Sequence, residues 1–260
     1  MYEAVMIAAT GLTNQQRRLD TIADNIANSN TVGFRASRLD FKDALYTAGI
    51  VPAAPRTPEG NQQKGHGVTT AAITRERRQG SFIETGGQFD FAIEGEGYFE
   101  LTDPEGGKLY TRGGNFYITD MGVGLRIVNS DGYFVSDTDG NAITVPYGTR
   151  AVSAAEDGTL SFEAEDGQIY EAQTRLGVFS FRNVMGLDAV GGGNYVETEI
   201  SDEMFGVDGA RVIQGALENS NVDMAREMTL MIRSQRAFSL ASRALRTADD
   251  MEQLANNLRR

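Results

Sequence analysis

Asn221–Arg260, NVDMAREMTLMIRSQRAFSLASRALRTADDMEQLANNLRR, holds neither Gly nor Pro and is rich in Ala, Leu, Met, Arg and Glu, so it reads as one long helix. Ser220 and Asp223 form an S-x-x-D capping box at its start. Apolar residues recur at Met224, Met228, Met231, Phe238, Ala241, Leu245, Ala248, Met251, Ala255 and Leu258. Gln235 is the one polar interruption, and there is one short step near Phe238. Spacing that alternates threes and fours is the seam of a coiled coil, here with a slip, rather than the broad stripe of a helix lying on a globular core. Fully helical, the segment would be about 60 Å long at 1.5 Å per residue, too long to lie on a small domain without projecting, so it needs partners.

The same heptad logic occurs at the other end of the chain. Val5, Ala8, Leu12, Leu19, Ile22 and Ile26 form a seam over residues 1–28, with Gln15 inside it. A stop follows in Asn28-Ser29-Asn30-Thr31-Val32-Gly33, where Asn, Ser and Gly leave helical geometry easily. Seam-bearing helices at opposite termini pair with each other, either as a cap on a monomer or as the packing element of a larger assembly.

Residues 35–65 read as a transition. Leu39, Phe41, Leu45 and Tyr46 give a short amphipathic piece, and Gly49 to Lys64 holds Pro52, Pro55 and Pro58 with Gly60, Asn61, Gln62 and Gln63, an extended loop. From Gly67 to about Gly215 short runs alternate apolar with polar: 89–93, 98–101, 132–135, 159–162 and 176–181. Turn signals separate them at Pro104–Gly107, Asp131-Gly132, Asp139-Gly140, Asp157-Gly158 and Asp166-Gly167, and Gly191-Gly192-Gly193 reads as an irregular crossing. The expected fold class is α+β. Residues 1–34 and 216–260 form a paired helical coiled-coil domain, 35–75 a loop-rich connector, and 76–215 an antiparallel β domain.

Charge and composition exclude several functions. Residues 1–40 carry four Lys/Arg and four Asp/Glu, and 221–260 seven and five, so the ends together are +2 and the middle carries −14, for a net −12. An acidic middle gives nucleic acid no face to bind. The chain has no Cys, hence no disulfide, thiolate nucleophile or Cys-ligated metal. No run approaches the ~20 apolar residues of a membrane span, and Glu3 with the short run Ala4–Ala9 does not make a cleavable leader.

Catalytic signals are weak. His66 is the only histidine and has no nucleophile motif or second ligand near it in sequence. Asp137-Thr138-Asp139-Gly140-Asn141 resembles the opening of a calcium loop, but Ala142 and Gly148 stand where that loop needs Gly and a bidentate Glu. Gly95-Glu96-Gly97 lacks the third glycine of a dinucleotide loop. Arg226, Arg233, Arg236, Arg243 and Arg246 follow a helix and read as a solvated or inter-subunit face. No catalytic residue, cofactor, metal or small-molecule substrate is expected.

Four stretches together carry a family resemblance. Ile22-Ala23-Asp24-Asn25-Ile26-Ala27-Asn28-Ser29-Asn30-Thr31-Val32-Gly33-Phe34, preceded by Thr10-Gly11-Leu12 and Gln15-Gln16, resembles the N-terminal signature of bacterial flagellar rod and hook proteins. Phe89–Phe99 and Tyr110–Phe116 resemble the family's β-domain motifs, and Gly215–Val222 with Met231–Phe238 its C-terminal signature. All fall in the family's order at about its length, and the phrase Ser234–Phe238 is most similar to distal-rod members, with proximal-rod members the close alternative. Residues 47–65 are a few residues shorter than in the distal-rod members.

The resemblance implies a non-enzymatic structural subunit that stacks helically with copies of itself into a tube around an export channel. It implies contacts with other axial proteins of rod and hook and with a surrounding ring or bushing. Delivery would be through the flagellar type III export apparatus into the periplasm or cell-wall space. On this reading assembly contacts fall on Leu12, Leu19, Ile22, Asn25, Ile26, Asn28, Thr31, Gly33 and Phe34, and on Ser220, Asn221, Val222, Met228, Met231, Gln235, Phe238 and Leu245. Asn25 and Asn28 would bond backbone as the helix ends, Gly33 would permit a sharp turn, and Phe34 would anchor the connector on a neighbour. Outside the family, a secreted β-rich binding module or a monomeric adaptor with docking helices fits the same pattern; the absence of Trp weighs against a sugar-stacking site.

Overall fold

The computed structural model describes residues 2–44, 47–48, 63–64, 67–122, 124–165, 168–207 and 209–258. The core of the expected loop at 49–62, His66 and the Asp166-Gly167 turn lie outside the described residues. Two compact units form, each assembled from separate stretches of chain. One comprises residues 1–27, 37–76 and 223–260; the other comprises 28–36 and 77–222.

The first unit holds both helices, α1 (Tyr2–Ala27) and α2 (Met224–Leu258), packed against each other. α2 starts later than the Ser220 capping box places it. Asp223 is the cap: its side-chain Oδ1 accepts the amide of Arg226 and its carbonyl the amide of Glu227. This satisfies donors that the first helical turn leaves open. Ser220 Oγ instead accepts the amide of Val222 at 3.3 Å.

Where a connector loop is expected, an antiparallel ribbon pairs Ser37–Asp43 with Val68–Arg75, with a bulge between Asp40 and Phe41. Arg38-Leu39-Asp40-Phe41-Lys42 alternates polar and apolar with period two, which suits a pleat and not a helix, and buries Leu39. Opposite it, Val68-Thr69-Thr70 and Ile73-Thr74 supply β-branched residues. Thr47–Ala48 and Gln63–Lys64 add a further antiparallel pair.

The second unit is antiparallel β throughout its described pairings. Its central strand Tyr98–Thr102 pairs with Lys108–Thr111, Phe134–Val135 and Val178–Phe181. Phe91, Ile93, Phe99, Leu101, Phe116, Ile127, Val135, Ile143, Leu160 and Phe162 form one core, with Phe99 edge-on to Phe116 at 5.4 Å. A second cluster gathers Tyr110, Phe179, Phe181, Leu187 and Tyr195. The Gly191–Gly193 run is a hairpin tip between Asp188–Gly191 and Asn194–Val196, with all three glycines at positive φ, and not a crossing.

One carboxylate in the central strand is costly. Glu100 is fully buried, with Lys108 Nζ 3.3 Å from Oε2 and 3.2 Å from Oε1. Burial pushes the Glu100 carboxyl above its ordinary value, and the Lys108 ammonium only partly offsets this. The folded state therefore holds this proton more tightly than the unfolded chain. Glu100 costs least when protonated at low pH, and its full cost is present once pH has risen through the raised folded value. Glu100→Gln should gain stability over the parent as pH rises from the ordinary carboxylate range to neutrality. Melting curves of both proteins across that range check this, and a pH-independent difference rules it out.

Candidate functional site: buried polar knots at the signature residues

In the first unit, two asparagines of α1 hold the ribbon. Asn25 is 1% exposed; its Oδ1 accepts the Ser37 amide and its Nδ2 donates to the Ser37 carbonyl, both at 2.8 Å, so one side chain closes a two-bond ring with the first ribbon strand. Nδ2 also reaches Glu227 Oε2 on α2 at 3.3 Å. Asn14, eleven residues earlier, lies about three turns away on the same helix face. It donates to the Val68 carbonyl at 2.7 Å and accepts from Thr70 Oγ1 at 2.8 Å. Both strands of the ribbon are thus fastened to one helix by amides that mimic backbone groups.

The α1 seam expected from sequence is the shielded face: Ile22 is buried, and Val5, Ala8, Leu12, Leu19 and Ile26 are half-buried. On α2 the observed row differs. Glu227 and Ser234 are buried, Met231, Phe238, Ala241, Leu245 and Ala248 are half-buried, while Met228 is 51% exposed and Gln235 is exposed. The row 227, 231, 234, 238, 241, 245, 248 steps strictly by fours and threes. The expected slip at Phe238 disappears, because it came from assigning Met228 and Gln235 to a face that Glu227 and Ser234 occupy.

In the second unit, both chain signatures meet one carboxylate. Glu218, 1% exposed, bonds Arg35 Nη2 at 2.8 Å and Arg112 Nη1 at 3.1 Å. Gly80 N donates to its Oε1 at 3.2 Å and Gln79 Nε2 to its Oε2 at 3.3 Å. The guanidiniums also bond backbone: Arg35 donates to the Arg77 carbonyl at 2.6 Å, and Arg112 to the carbonyls of Ile93 and Gly95 at 3.2 and 2.6 Å, while the buried Arg112 Nε has no partner among the described residues. Burial pushes the Arg112 pKa down and the Glu218 carboxylate pulls it back, which leaves an arginine charged at any working pH.

The flanking signature residues close the knot. Gly33 N donates to the Glu218 carbonyl at 2.8 Å. Asn221 Oδ1 accepts the Ala36 amide and its Nδ2 donates to the Arg78 carbonyl, each at 2.7 Å, while its amide donates to the Phe34 carbonyl at 3.3 Å. Thr31 Oγ1 donates to Asn28 Oδ1 at 3.1 Å. Phe34 and Val222 are half-buried and Ser220 is buried. The arrangement can lock backbone, and among the described residues no group of three or more His, Asp or Glu gathers for a metal.

Asn14, Arg35, Arg112, Glu218, Glu227 and Ser234 are missed by the sequence reading. Arg112 and Glu218 stand inside the quoted signatures and Arg35 directly follows one, but nothing in spacing tells that residues so far apart share a charge.

Three family descriptions match the chain: "Flagella basal body rod protein" over residues 6–35, "Flagellar hook protein FlgE/F/G D1 domain" over 92–162, and "Flagellar basal body rod FlgEFG protein C-terminal" over 213–258. Among curated proteins, the flagellar basal-body rod protein FlgG of Borreliella burgdorferi is 37% identical, and that of Bacillus subtilis 34%, each over 100% of both chains. FlgG of Caulobacter vibrioides is 32% identical over 99% of both.

Proposed function

This chain belongs to the flagellar basal-body rod family, and from that premise we propose that it is a structural subunit of the distal rod. The observation that carries the reading is the end-to-end similarity to proteins named FlgG.

Copies of the chain stack helically through a head-to-tail contact that does not close, which yields a filament and not a ring. The terminal helices pair as a coiled coil, a reading supported by the matching heptad rows on α1 and α2. The stacked subunits enclose the export channel and transmit torque between other axial proteins of rod and hook, turning within a surrounding ring. The subunits reach the basal body by type III export across the inner membrane. Rigidity is the quantity such a shaft needs, and the polar knots supply it: the ribbon is bonded to α1 at Asn14 and Asn25, and the segments around residues 33–36, 112 and 218–221 are bonded to one another.

The full chain should self-associate progressively in sedimentation as concentration rises. Phe34→Ala should weaken the association and leave the β signal in place. A chain that stays monomeric at the highest attainable concentration would falsify the axial-polymer reading in favour of an adaptor.

A further inference from the structure

Asn194, at the foot of the Gly191–Gly193 hairpin tip, is 3% exposed, and its Oδ1 has no hydrogen-bond partner among the described residues. A buried acceptor without a donor is costly in a folded chain and calls for an explanation. The Nδ2 of the same amide donates to Asp131 Oδ2 at 2.8 Å, and Asn129 Nδ2 reaches that oxygen at 3.5 Å. The other carboxylate oxygen, Asp131 Oδ1, is without a donor among the described residues. Asp131 and Asn194 both line a cavity of about 250 Å³ in the second unit, whose wall also includes Leu109, Tyr133 and Val190.

The hairpin tip is shaped to this carboxylate. Gly192 has φ +62°, and a Cβ there would stand 2.6 Å from Asp131 Oδ2 and 3.2 Å from Asn194 Nδ2, so a side chain at 192 would displace one or the other. A larger cavity of about 380 Å³ in the same unit also holds a carboxylate, Asp157, but that group is already matched. It accepts from Thr159 N and Thr159 Oγ1, and Arg175 Nε lies 3.9 Å away. No cation stands within ion-pair reach of Asp131 among the described residues.

We propose that the Asp131–Asn194 cavity is a binding site for an alkylammonium or alkylguanidinium group. The unmatched atoms are acceptors, so the ligand brings donors, and the carboxylate makes a charged donor the stronger partner. Leu109 and Val190 offer apolar surface to a methylene stem, and the Tyr133 ring offers a face that attracts a cation. A bare divalent ion fits worse, because calcium takes six to eight oxygen ligands and a single carboxylate lines the cavity. The group can come from a free amine or from a Lys or Arg side chain of another chain; the site itself does not depend on the rod reading.

Saturation-transfer NMR on the full chain, with n-butylguanidinium titrated as the probe, tests the site at fixed ionic strength. The parent should bind n-butylguanidinium, and n-butylurea, which has the same stem and donors but no charge, about tenfold more weakly or not at all. Asp131→Asn keeps an oxygen for Asn194 Nδ2 and removes the charge, and should weaken n-butylguanidinium about tenfold. Glu163→Gln removes an equal charge from an exposed position of another sheet and should leave binding unchanged. Equal binding of the two probes, unchanged binding in Asp131→Asn, or an equal loss in Glu163→Gln overturns the proposal, the last by showing diffuse attraction to an acidic surface. The probe comparison needs no variant, so it decides even if Asp131→Asn fails to fold. Sedimentation then separates the sources. Self-association reversed by n-butylguanidinium but not by NaCl at equal ionic strength puts the basic side chain on a second copy, and association that does not respond assigns the occupant to a source other than this chain. A chain that binds the probe and never self-associates keeps the site and loses the rod reading instead.

Discussion

Glu218→Ala is expected to destabilise the β unit by about 3–5 kcal/mol, the cost of stripping a buried ion pair of one partner. The carboxylate faces two guanidiniums, Arg35 and Arg112, that are 6% and 5% exposed at their side chains. Removing it leaves two like charges beside each other in a buried site. It also orphans the Gly80 amide and the Gln79 amide group. Against a total stability of roughly 5–15 kcal/mol for a domain of this kind, the loss is large. Glu218→Gln keeps the volume and an acceptor for Gly80 but not the charge, and should recover only part of the loss. Denaturant unfolding of the full chain, followed by near-ultraviolet dichroism of its nine tyrosines, measures both. A cost below about 1 kcal/mol for Glu218→Ala, the level of a surface pair, would mean that the arginines find other anions and the knot is not structural.

This knot also marks where sequence stopped being readable. A helix announces itself locally, and the Gly- and Pro-free run to Arg260 made α2 visible to within a few residues. Turn glycines at Gly132, Gly140 and Gly158 did the same for the β unit, each at positive φ. The seam was readable only in outline. Counting apolar residues placed Met228 and Gln235 on the shielded face, whereas burial chose Glu227 and Ser234, one residue earlier in each case. A polar residue retained at a seam position looks from sequence like a surface position. The ribbon at 37–43 and 68–75 was hidden for a related reason: its partner strands are separated by a proline-containing stretch whose composition dominates the window. Arg35, Arg112 and Glu218 share a site only because three distant segments converge, and no local pattern encodes that convergence. The family signature pointed to those segments without saying which atom mattered.

Gly33→Ala should be the most damaging small change in the N-terminal signature, costing about 3 kcal/mol or more. Two effects add. Gly33 sits at φ +70°, a left-handed conformation that costs an L-residue roughly 1–2 kcal/mol. A Cβ there would also stand 2.5 Å from the Arg112 carbonyl carbon, 2.6 Å from Gly113 N and 2.8 Å from the Arg112 oxygen. These are backbone atoms. No side chain can swing away, so relief must come from moving the 112–113 backbone, and overpacking of this kind costs typically 1–3 kcal/mol. Moving that backbone pulls Arg112 from Glu218, and moving Gly33 instead breaks its own bond to the Glu218 carbonyl. Gly86→Ala separates the two effects. Gly86 has nearly the same φ, +69°, but nothing within 4 Å of an added Cβ, so it should lose only the conformational part. Unfolding free energies of the two variants, each against the parent, decide the matter. If Gly33→Ala costs no more than Gly86→Ala, the close approach to residues 112–113 is not holding the signature in place, and the turn alone accounts for the glycine.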